Sequence, residues 1–316
     1  MTTCLEWLKA RADAVARFVR PLSAASEEES EREPFPPQLP EGRVVPVADR
    51  GEMFVREAPA PKQDAPAITL LHGWTLSADL NWFSGVYDVA ARRGRLVAPD
   101  IRGHGRGLRS ERPFTLEAAA DDVAGMLDQL DISSTVLVGY SMGGSIALLM
   151  AERHPALVDG LVLAATGLQW RDSPRERVLW AGMAGVEYVM RFGAPKGITD
   201  RYLRFAAEES PDLEPYSGWL KAEARRGDPS DIAAAGRSLS TFDARELASK
   251  IHVPTAVVVT EHDHLIRAHK QRAIAAAIVG ARIFDVDGAH NSWMVRPKGF
   301  ASAIDEALEF VLNPES

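Results

Sequence analysis

Gly139-Tyr140-Ser141-Met142-Gly143-Gly144 is the stretch that decides the fold of this 316-residue chain. It follows an apolar run, Thr135–Val138, which is typical of a buried strand. It opens the run Ser145–Met150, whose isoleucine, alanine, leucine and methionine side chains favour a helix. The sequence therefore predicts a tight turn from strand to helix, with Ser141 at its apex.

The residue types around Ser141 are those that such a turn requires. Side chains beside the serine would clash in the strained backbone, and Gly139 and Gly143 have none. Gly144 lets the helix pack close to neighbouring strands. Ser141 then stands at a helix N-terminus, where the macrodipole and free N–H groups favour negative charge. We predict that Ser141 is a nucleophile; the alternative is a glycine-rich turn that merely starts a helix.

A second motif, Leu71-His72-Gly73-Trp74, closes the apolar strand Ala67–Leu71. Acyl transfer passes through an oxyanion, which two preorganised N–H donors must meet. We predict that these donors are the backbone N–H groups of Met142 and Trp74. Taken alone, His72 and Gly73 also fit a plain strand-to-loop turn with a structural histidine.

An acid and a base follow two later strands. Asp263 comes just after the strand Thr255–Val259, and His290 comes just after the strand Ala281–Val286. Sites in open α/β sheets lie at the carboxyl ends of the strands. The chain order, serine then aspartate then histidine, predicts that His290 is the general base for Ser141 and that Asp263 orients it.

Other side chains compete for these roles. Glu261 is an alternative acid, and Asp285 and Asp287 lie nearer to His290 in the sequence. His262 and His264 raise the possibility of a metal site. Their spacing of two residues, without other Cys or His ligands nearby, argues against it, so we expect no metal and no cofactor.

Apolar runs alternate with amphipathic segments from about residue 43 onward. Runs that are apolar on both faces indicate strands of a parallel sheet covered by helices. The predicted strands are Arg43–Val47, Met53–Glu57, Ala67–Leu71, Arg95–Ala98, Thr135–Val138, Leu161–Ala164, Thr255–Val259 and Ala281–Val286. The predicted helices are 116–130, 142–153, 267–279 and 298–312. This pattern predicts an α/β fold with a mostly parallel, twisted sheet of about eight strands flanked by helices.

The chain divides into three predicted regions. Residues 43–167 plus 241–316 form the α/β core. Residues 168–240 contain no convincing strand and are expected to form an inserted helical cap, with aromatic and methionine side chains at helical spacing. These side chains are Trp170, Trp180, Tyr188, Met190, Phe192, Tyr202, Phe205, Tyr216 and Trp219. Residues 1–42 are expected to form a helix, over 3–20, and an acidic, proline-rich linker.

Composition narrows the classes of partner. The net charge of -8 argues against nucleic acid, because phosphate binding needs clustered lysine and arginine. The single cysteine, Cys4, forms no internal disulfide and fits a reducing compartment. No apolar run reaches the ~18–20 residues of a transmembrane helix, and residues 1–20 lack the apolar core of a signal peptide. We expect a cytoplasmic protein; contact of residues 3–20 with a membrane surface or a partner is the alternative.

With these motifs, residues 43–313 resemble the α/β-hydrolase superfamily, and within it the capped group of serine esterases, perhydrolases and epoxide-hydrolase-like enzymes. The stretch Pro99-Asp100-Ile101-Arg102-Gly103-His104-Gly105 resembles the loop after the family's fourth strand. The resemblance implies structural rather than catalytic roles for Asp100, Arg102 and Asp243. Epoxide hydrolases and haloalkane dehalogenases of this fold carry an aspartate where Ser141 stands, so an alkyl-enzyme ester is not expected.

These observations predict a serine hydrolase that cleaves a carboxylic ester of a mostly apolar small molecule through an acyl-enzyme. The same side chains also serve carbon–carbon bond hydrolysis, thioester cleavage or the use of peroxide in place of water. A non-catalytic ligand-binding protein on this fold is the alternative from a different class. The physiological substrate and the oligomeric state are left open.

Overall fold

The computed structural model describes part of the chain, namely residues 36–171, Glu176 and 211–314. These residues belong to one compact unit, Pro34–Ser316. The helix expected at residues 3–20 lies outside the described residues, as does most of the cap expected at 168–240. The domain boundaries therefore remain a prediction.

Eight strands of the described residues form one sheet. They are β1 (Glu41–Val47), β2 (Gly51–Ala58), β3 (Ala67–Leu71), β4 (Arg95–Pro99), β5 (Thr135–Tyr140), β6 (Val158–Ala164), β7 (Thr255–Thr260) and β8 (Arg282–Val286). The strand order is β1-β2-β4-β3-β5-β6-β7-β8. Strand β2 is antiparallel to β1 and to β4, and the other neighbouring pairs are parallel. The prediction of an α/β fold with an eight-stranded, mostly parallel sheet is confirmed.

Helices cover both faces of this sheet. They are α1 (Ala78–Trp82), α2 (Val86–Arg93), α3 (Leu116–Gln129), α4 (Met142–Arg153), α5 (Ser217–Ala224), α6 (Pro229–Thr241), α7 (Arg245–Ala248), α8 (Ala268–Ala277), α9 (Ser292–Val295) and α10 (Pro297–Leu312). One apolar cluster packs the sheet against α3, α4, α6, α7 and α8, and the other packs it against α1, α2, α5, α9 and α10. None of these described helices is long and apolar enough to cross a membrane.

The two clusters explain the unbroken apolar runs of the central strands. Leu137 of β5 packs in the first cluster, whereas Val136 and Val138 pack in the second. Because successive side chains of a strand point to opposite faces, both faces of β5 require apolar residues.

Most strands were predicted within a few residues of their positions, but helices α1 and α2 were not predicted. All five residues of α1 are buried, including the polar Asp79 and Asn81. A helix that is buried on every side lacks the alternation of apolar and polar faces on which a sequence prediction depends. Strand β6 begins at Val158 rather than Leu161, and its pairing with β5 shifts register between Thr135 and Val136.

The described part of the expected cap is mostly helical from residue 211 onward, whereas its first residues, 168–171, are not in a helix. The helical part comprises α5, most of α6 and a 3-10 turn, Pro211–Tyr216. Its aromatic side chains attach it to the core: Trp219 packs 5.2 Å from the ring of Phe83, and the indole N–H of Trp170 donates to Ser145 Oγ over 3.2 Å. These indoles therefore contribute to the packing of this segment against the core.

Candidate active site

Ser141 lies at the junction between β5 and α4 with a backbone conformation that L-amino acids rarely adopt. Its φ is 54° and its ψ is -113°. The strain is maintained by hydrogen bonds on both sides: the Ser141 N–H donates to Ala164 O over 2.9 Å, and the Gly144 N–H donates to Ser141 O over 3.0 Å. Strained residues of this kind cluster at functional sites.

Two glycines permit this turn, as the sequence predicted. A Cβ on Gly143 would lie 2.0 Å from Leu71 O, and a Cβ on Gly139 would lie 2.5 Å from Gly143 O. The contact of Gly143 with Leu71 also shows how closely α4 approaches the end of β3. Backbone oxygens cannot move aside as a flexible side chain could, so neither position accommodates a larger residue.

The structure brings the predicted acid, base and nucleophile together. His290 Nε2 lies 3.1 Å from Ser141 Oγ, and His290 Nδ1 lies 2.7 Å from Asp263 Oδ2. Because an ionised carboxylate only accepts hydrogen bonds, Nδ1 carries the proton and Nε2 is left to accept the Ser141 hydroxyl. This arrangement can transfer a proton from the serine to the histidine during nucleophilic attack.

The carboxylate of Asp263 is held from both sides. Oδ1 accepts the backbone N–H groups of Leu265 and Ile266, each over 2.8 Å, and Oδ2 accepts the Thr260 hydroxyl over 2.9 Å. The side chain has no exposed surface. These contacts fix which oxygen faces His290.

The competing carboxylates have other partners. Glu261 and Asp285 both pair with Arg272, whereas Asp287 pairs with Arg296 and with His262. Asp287 and His262 are largely exposed. The sequence left Glu261 open as the alternative acid and set Asp285 and Asp287 aside because they lie so close to His290 in the chain. In the structure, His290 Nδ1 lies within hydrogen-bond distance of Asp263.

Tyr140 contacts His290, the predicted base, and this contact was not identified from the sequence. Its hydroxyl donates to the carbonyl of His290, and its ring lies 5.3 Å from the imidazole. A buried tyrosine needs a partner for its hydroxyl, and here the partner is the backbone carbonyl of His290. The sequence contains no signal for this contact, because the two residues are 150 positions apart.

Met142 and Trp74, the predicted oxyanion donors, lie at the same edge of the sheet. Strands β3 and β5 are paired with Leu71 opposite Gly139, so the residues that follow each strand meet near Ser141. Two hydrogen bonds hold the β3 loop: the Gly73 N–H donates to Asn81 Oδ1 over 2.9 Å, and the Trp74 indole donates to Ile232 O over 2.7 Å. The role of the two N–H groups in binding an oxyanion remains a prediction.

His72 connects two loops and does not contact Ser141. Its Nδ1–H donates to Gly73 O over 2.8 Å, and its Nε2 accepts the Ile101 N–H over 2.9 Å. Complete burial lowers its pKa to about 4, so it is neutral near pH 7. His72 is therefore the structural histidine that the sequence left open as one possibility.

The residues with implied structural roles form buried or local ion pairs. Asp100 accepts the Ala78 N–H and the Arg106 N–H, each over 2.8 Å, and Arg102 makes two hydrogen bonds to Asp122. Asp243, which lies between α6 and α7, pairs with Arg245 two positions later.

Acid is expected to destabilise the protein through its buried histidines. Burial is the main cause that lowers the pKa of His104 to about 3, with the neighbouring His72 adding to it. As the pH falls below about 6.5, the unfolded chain takes up a proton at this position and the folded chain does not. Between pH 7 and pH 5 this difference lowers the free energy of unfolding by about 2 kcal/mol for His104.

Urea unfolding of the wild type and of His104→Gln at pH 7 and pH 5 measures this contribution. The variant should lose about 2 kcal/mol less than the wild type over that interval. His252→Gln, at an exposed position, is the control and should follow the wild type. Equal losses in the wild type and in His104→Gln would contradict the prediction.

Comparison with known proteins relates this chain to a family. Residues 66–297 match the family described as alpha/beta hydrolase fold. A pimeloyl-(acyl-carrier protein) methyl ester esterase of Neisseria meningitidis is 28% identical over 254 residues, which cover 79% of this chain and 78% of the relative. The enzyme of the same name from Chromobacterium violaceum is 29% identical over 249 residues, covering 77% and 94%.

Solved structures share the fold. The enol-lactonase of Burkholderia xenovorans superposes with a TM-score of 0.73 at 24% identity, covering 84% of this chain and 100% of the lactonase. A thermophilic esterase from Thermogutta terrifontis superposes with a TM-score of 0.70 at 24% identity, covering 86% and 99%. At these identities the likeness concerns the fold alone.

Proposed function

This chain belongs to the α/β hydrolase fold family, and we propose that it hydrolyses a carboxylic ester with Ser141 as the nucleophile. The observation that carries the proposal is the pair of hydrogen bonds made by His290, 3.1 Å to Ser141 Oγ and 2.7 Å to Asp263 Oδ2. Two of the relatives are named as methyl ester esterases, which supports a carboxylic ester as the bond that is cleaved.

The geometry supports a two-step mechanism. His290 Nε2 takes the proton of Ser141 as Oγ attacks the ester carbonyl, and the charge on the carbonyl oxygen is met by the N–H groups of Met142 and Trp74. The intermediate collapses as His290 returns the proton to the leaving alcohol, which leaves an acyl-enzyme. His290 then activates water in the same way, while Asp263 stabilises the charged imidazole and keeps its tautomer.

We propose a mostly apolar acyl group esterified to a small alcohol as the substrate class. The relatives named above act on a methyl ester whose acyl group is attached to a carrier protein. The preference for an apolar acyl group rests on the many aromatic residues in the sequence of 168–240. It does not rest on the contacts of Trp170 and Trp219, whose indoles are used in packing. A cytoplasmic location and the lack of a nucleic-acid partner remain predictions of the sequence.

A substrate panel together with covalent labelling tests the proposal. We expect saturable hydrolysis of p-nitrophenyl and methyl esters of increasing acyl length, and a fluorophosphonate adduct on Ser141. Thioesters, diketones and peroxide with a carboxylic acid are measured in parallel, because a strong preference for one of them would replace the ester assignment. A folded protein with neither hydrolysis nor an adduct on Ser141 would refute the proposal.

A further inference from the structure

Gln271, on α8, is a fully buried side chain next to the predicted acid. Its Oε1 accepts the Thr260 N–H over 3.0 Å. Its Nε2 lies within hydrogen-bond distance of three acceptors: Thr260 Oγ1 at 2.9 Å, Asp263 Oδ2 at 3.1 Å and Ile266 O at 2.6 Å. Both polar atoms of the Gln271 amide therefore hydrogen-bond to the turn that carries Asp263.

These contacts join the two ends of that turn. Thr260 is the last residue of β7 and Ile266 lies six residues later, with Asp263 between them. Gln271 also holds Thr260, whose hydroxyl is itself a donor to Asp263 Oδ2. Loss of the amide would therefore loosen Asp263 directly and through Thr260.

Packing alone does not hold this turn. Its residues His262 and His264 are exposed, and Leu265 exposes 44% of its surface. Helix α8, in contrast, packs against β7 and β8. Because α8 is held by this packing, Gln271 on α8 can fix the position of Asp263, which lies on a solvent-facing turn.

We propose that Gln271 is a positioning residue, which holds Asp263 in the orientation that accepts the Nδ1–H of His290. The inference rests on the proposed function, because it assigns Gln271 a part in the same proton transfer. Gln271 acts through Asp263 and, having no exposed surface, does not touch substrate.

Gln271→Met tests the proposal with a side chain of similar length that cannot hydrogen-bond in this way. We expect kcat for the best ester to fall about 10- to 100-fold, because small displacements of reacting groups reduce rates by that amount. KM should stay within about twofold, since ground-state binding is unchanged. A folded variant whose kcat matches the wild type would overturn the proposal.

Gln271→Glu adds a readout that a merely structural residue would not affect. A protonated carboxyl can still donate to Asp263, whereas an ionised one would place two negative charges about 3 Å apart. The activity relative to the wild type should therefore be highest at low pH and decline as the introduced carboxyl ionises, an additional step in the pH profile of kcat. A pH profile with the wild-type shape would argue against positioning.

Lys270→Met is the matched control on the same helix. Lys270 is also buried, but its Nζ lies 3.1 and 3.2 Å from the carboxylate of Glu176 rather than near Asp263. This variant tests the effect of destabilising α8 alone, and we expect kcat and its pH profile to match the wild type. A loss of kcat as large as that of Gln271→Met would overturn the proposal.

A measurement without substrate separates this inference from the proposed function. The hydrogen-bonded Nδ1 proton of His290 should give a strongly downfield NMR resonance in the wild type, which shifts or disappears in Gln271→Met and persists in Lys270→Met. If the wild type hydrolyses esters while this resonance is unchanged in Gln271→Met, only the positioning role fails. If the wild type neither hydrolyses esters nor labels at Ser141, the proposed function fails, and the resonance still tests the positioning of Asp263.

Discussion

Ser141→Ala should lower kcat for ester hydrolysis by about 10⁶-fold, the loss expected when the nucleophile of a Ser–His–Asp arrangement is removed. The substitution deletes Oγ, the atom that lies 3.1 Å from His290 Nε2. It leaves the backbone hydrogen bonds of the turn in place, and alanine tolerates the positive φ about as well as serine does. We therefore expect a folded protein with almost no activity.

Rates of ester hydrolysis, normalised by active-site titration, measure the loss of kcat. Mass spectrometry of the fluorophosphonate adduct identifies the labelled residue. Ser145→Ala is the matched control, because Ser145 is a buried serine on α4, the helix that follows Ser141. Its hydroxyl oxygen accepts the indole N–H of Trp170 and does not pair with His290. The control should still be labelled on Ser141. Substantial hydrolysis by Ser141→Ala, or an adduct on another residue in the wild type, would contradict the assignment.

Asp263→Asn should lower kcat by about 10⁴-fold, even though the side chain keeps its shape. Oδ1 accepts two backbone N–H groups, so the amide oxygen of asparagine would occupy that position and its NH₂ would face His290. An NH₂ group cannot accept the Nδ1–H. The imidazole would adopt the other tautomer, with the proton on Nε2, and could no longer accept the hydroxyl proton of Ser141.

The pH dependence of kcat and the rate of labelling of Ser141 measure this second effect. Two control variants remove competing carboxylates: Glu261→Gln, which loses a partner of Arg272, and Asp287→Asn, which loses an exposed partner of His262 and Arg296. Both should retain kcat within about threefold of the wild type, because neither carboxylate contacts His290. A large loss in Glu261→Gln with little loss in Asp263→Asn would transfer the role of acid to Glu261.

The elements that could be predicted are those whose signal is local. The apolar run of β5, the two glycines beside Ser141 and the helix-forming residues after it lie close together in the chain, so each constrains the same turn. Strands β5 and β7 are apolar on both faces because both faces are covered, and that burial is visible as an unbroken run. Helix α1 was missed because it is buried throughout, so its polar residues Asp79 and Asn81 do not mark an exposed face.

The sequence by itself determined that the chain forms an α/β sheet with a serine at a strained strand–helix turn, followed in order by an acid and a histidine. Only the tertiary structure decided which side chains meet. It placed Asp263 against His290 and Glu261 against Arg272, although these acids are close neighbours in the chain. It also brought Gln271 to the site from a helix with no recognisable motif, and it joined Tyr140, which lies within the serine motif, to the carbonyl of His290. The reason is physical: a motif records the backbone that a turn requires, whereas hydrogen-bond partners are set by the register of strands and the packing of helices, which depend on the whole chain.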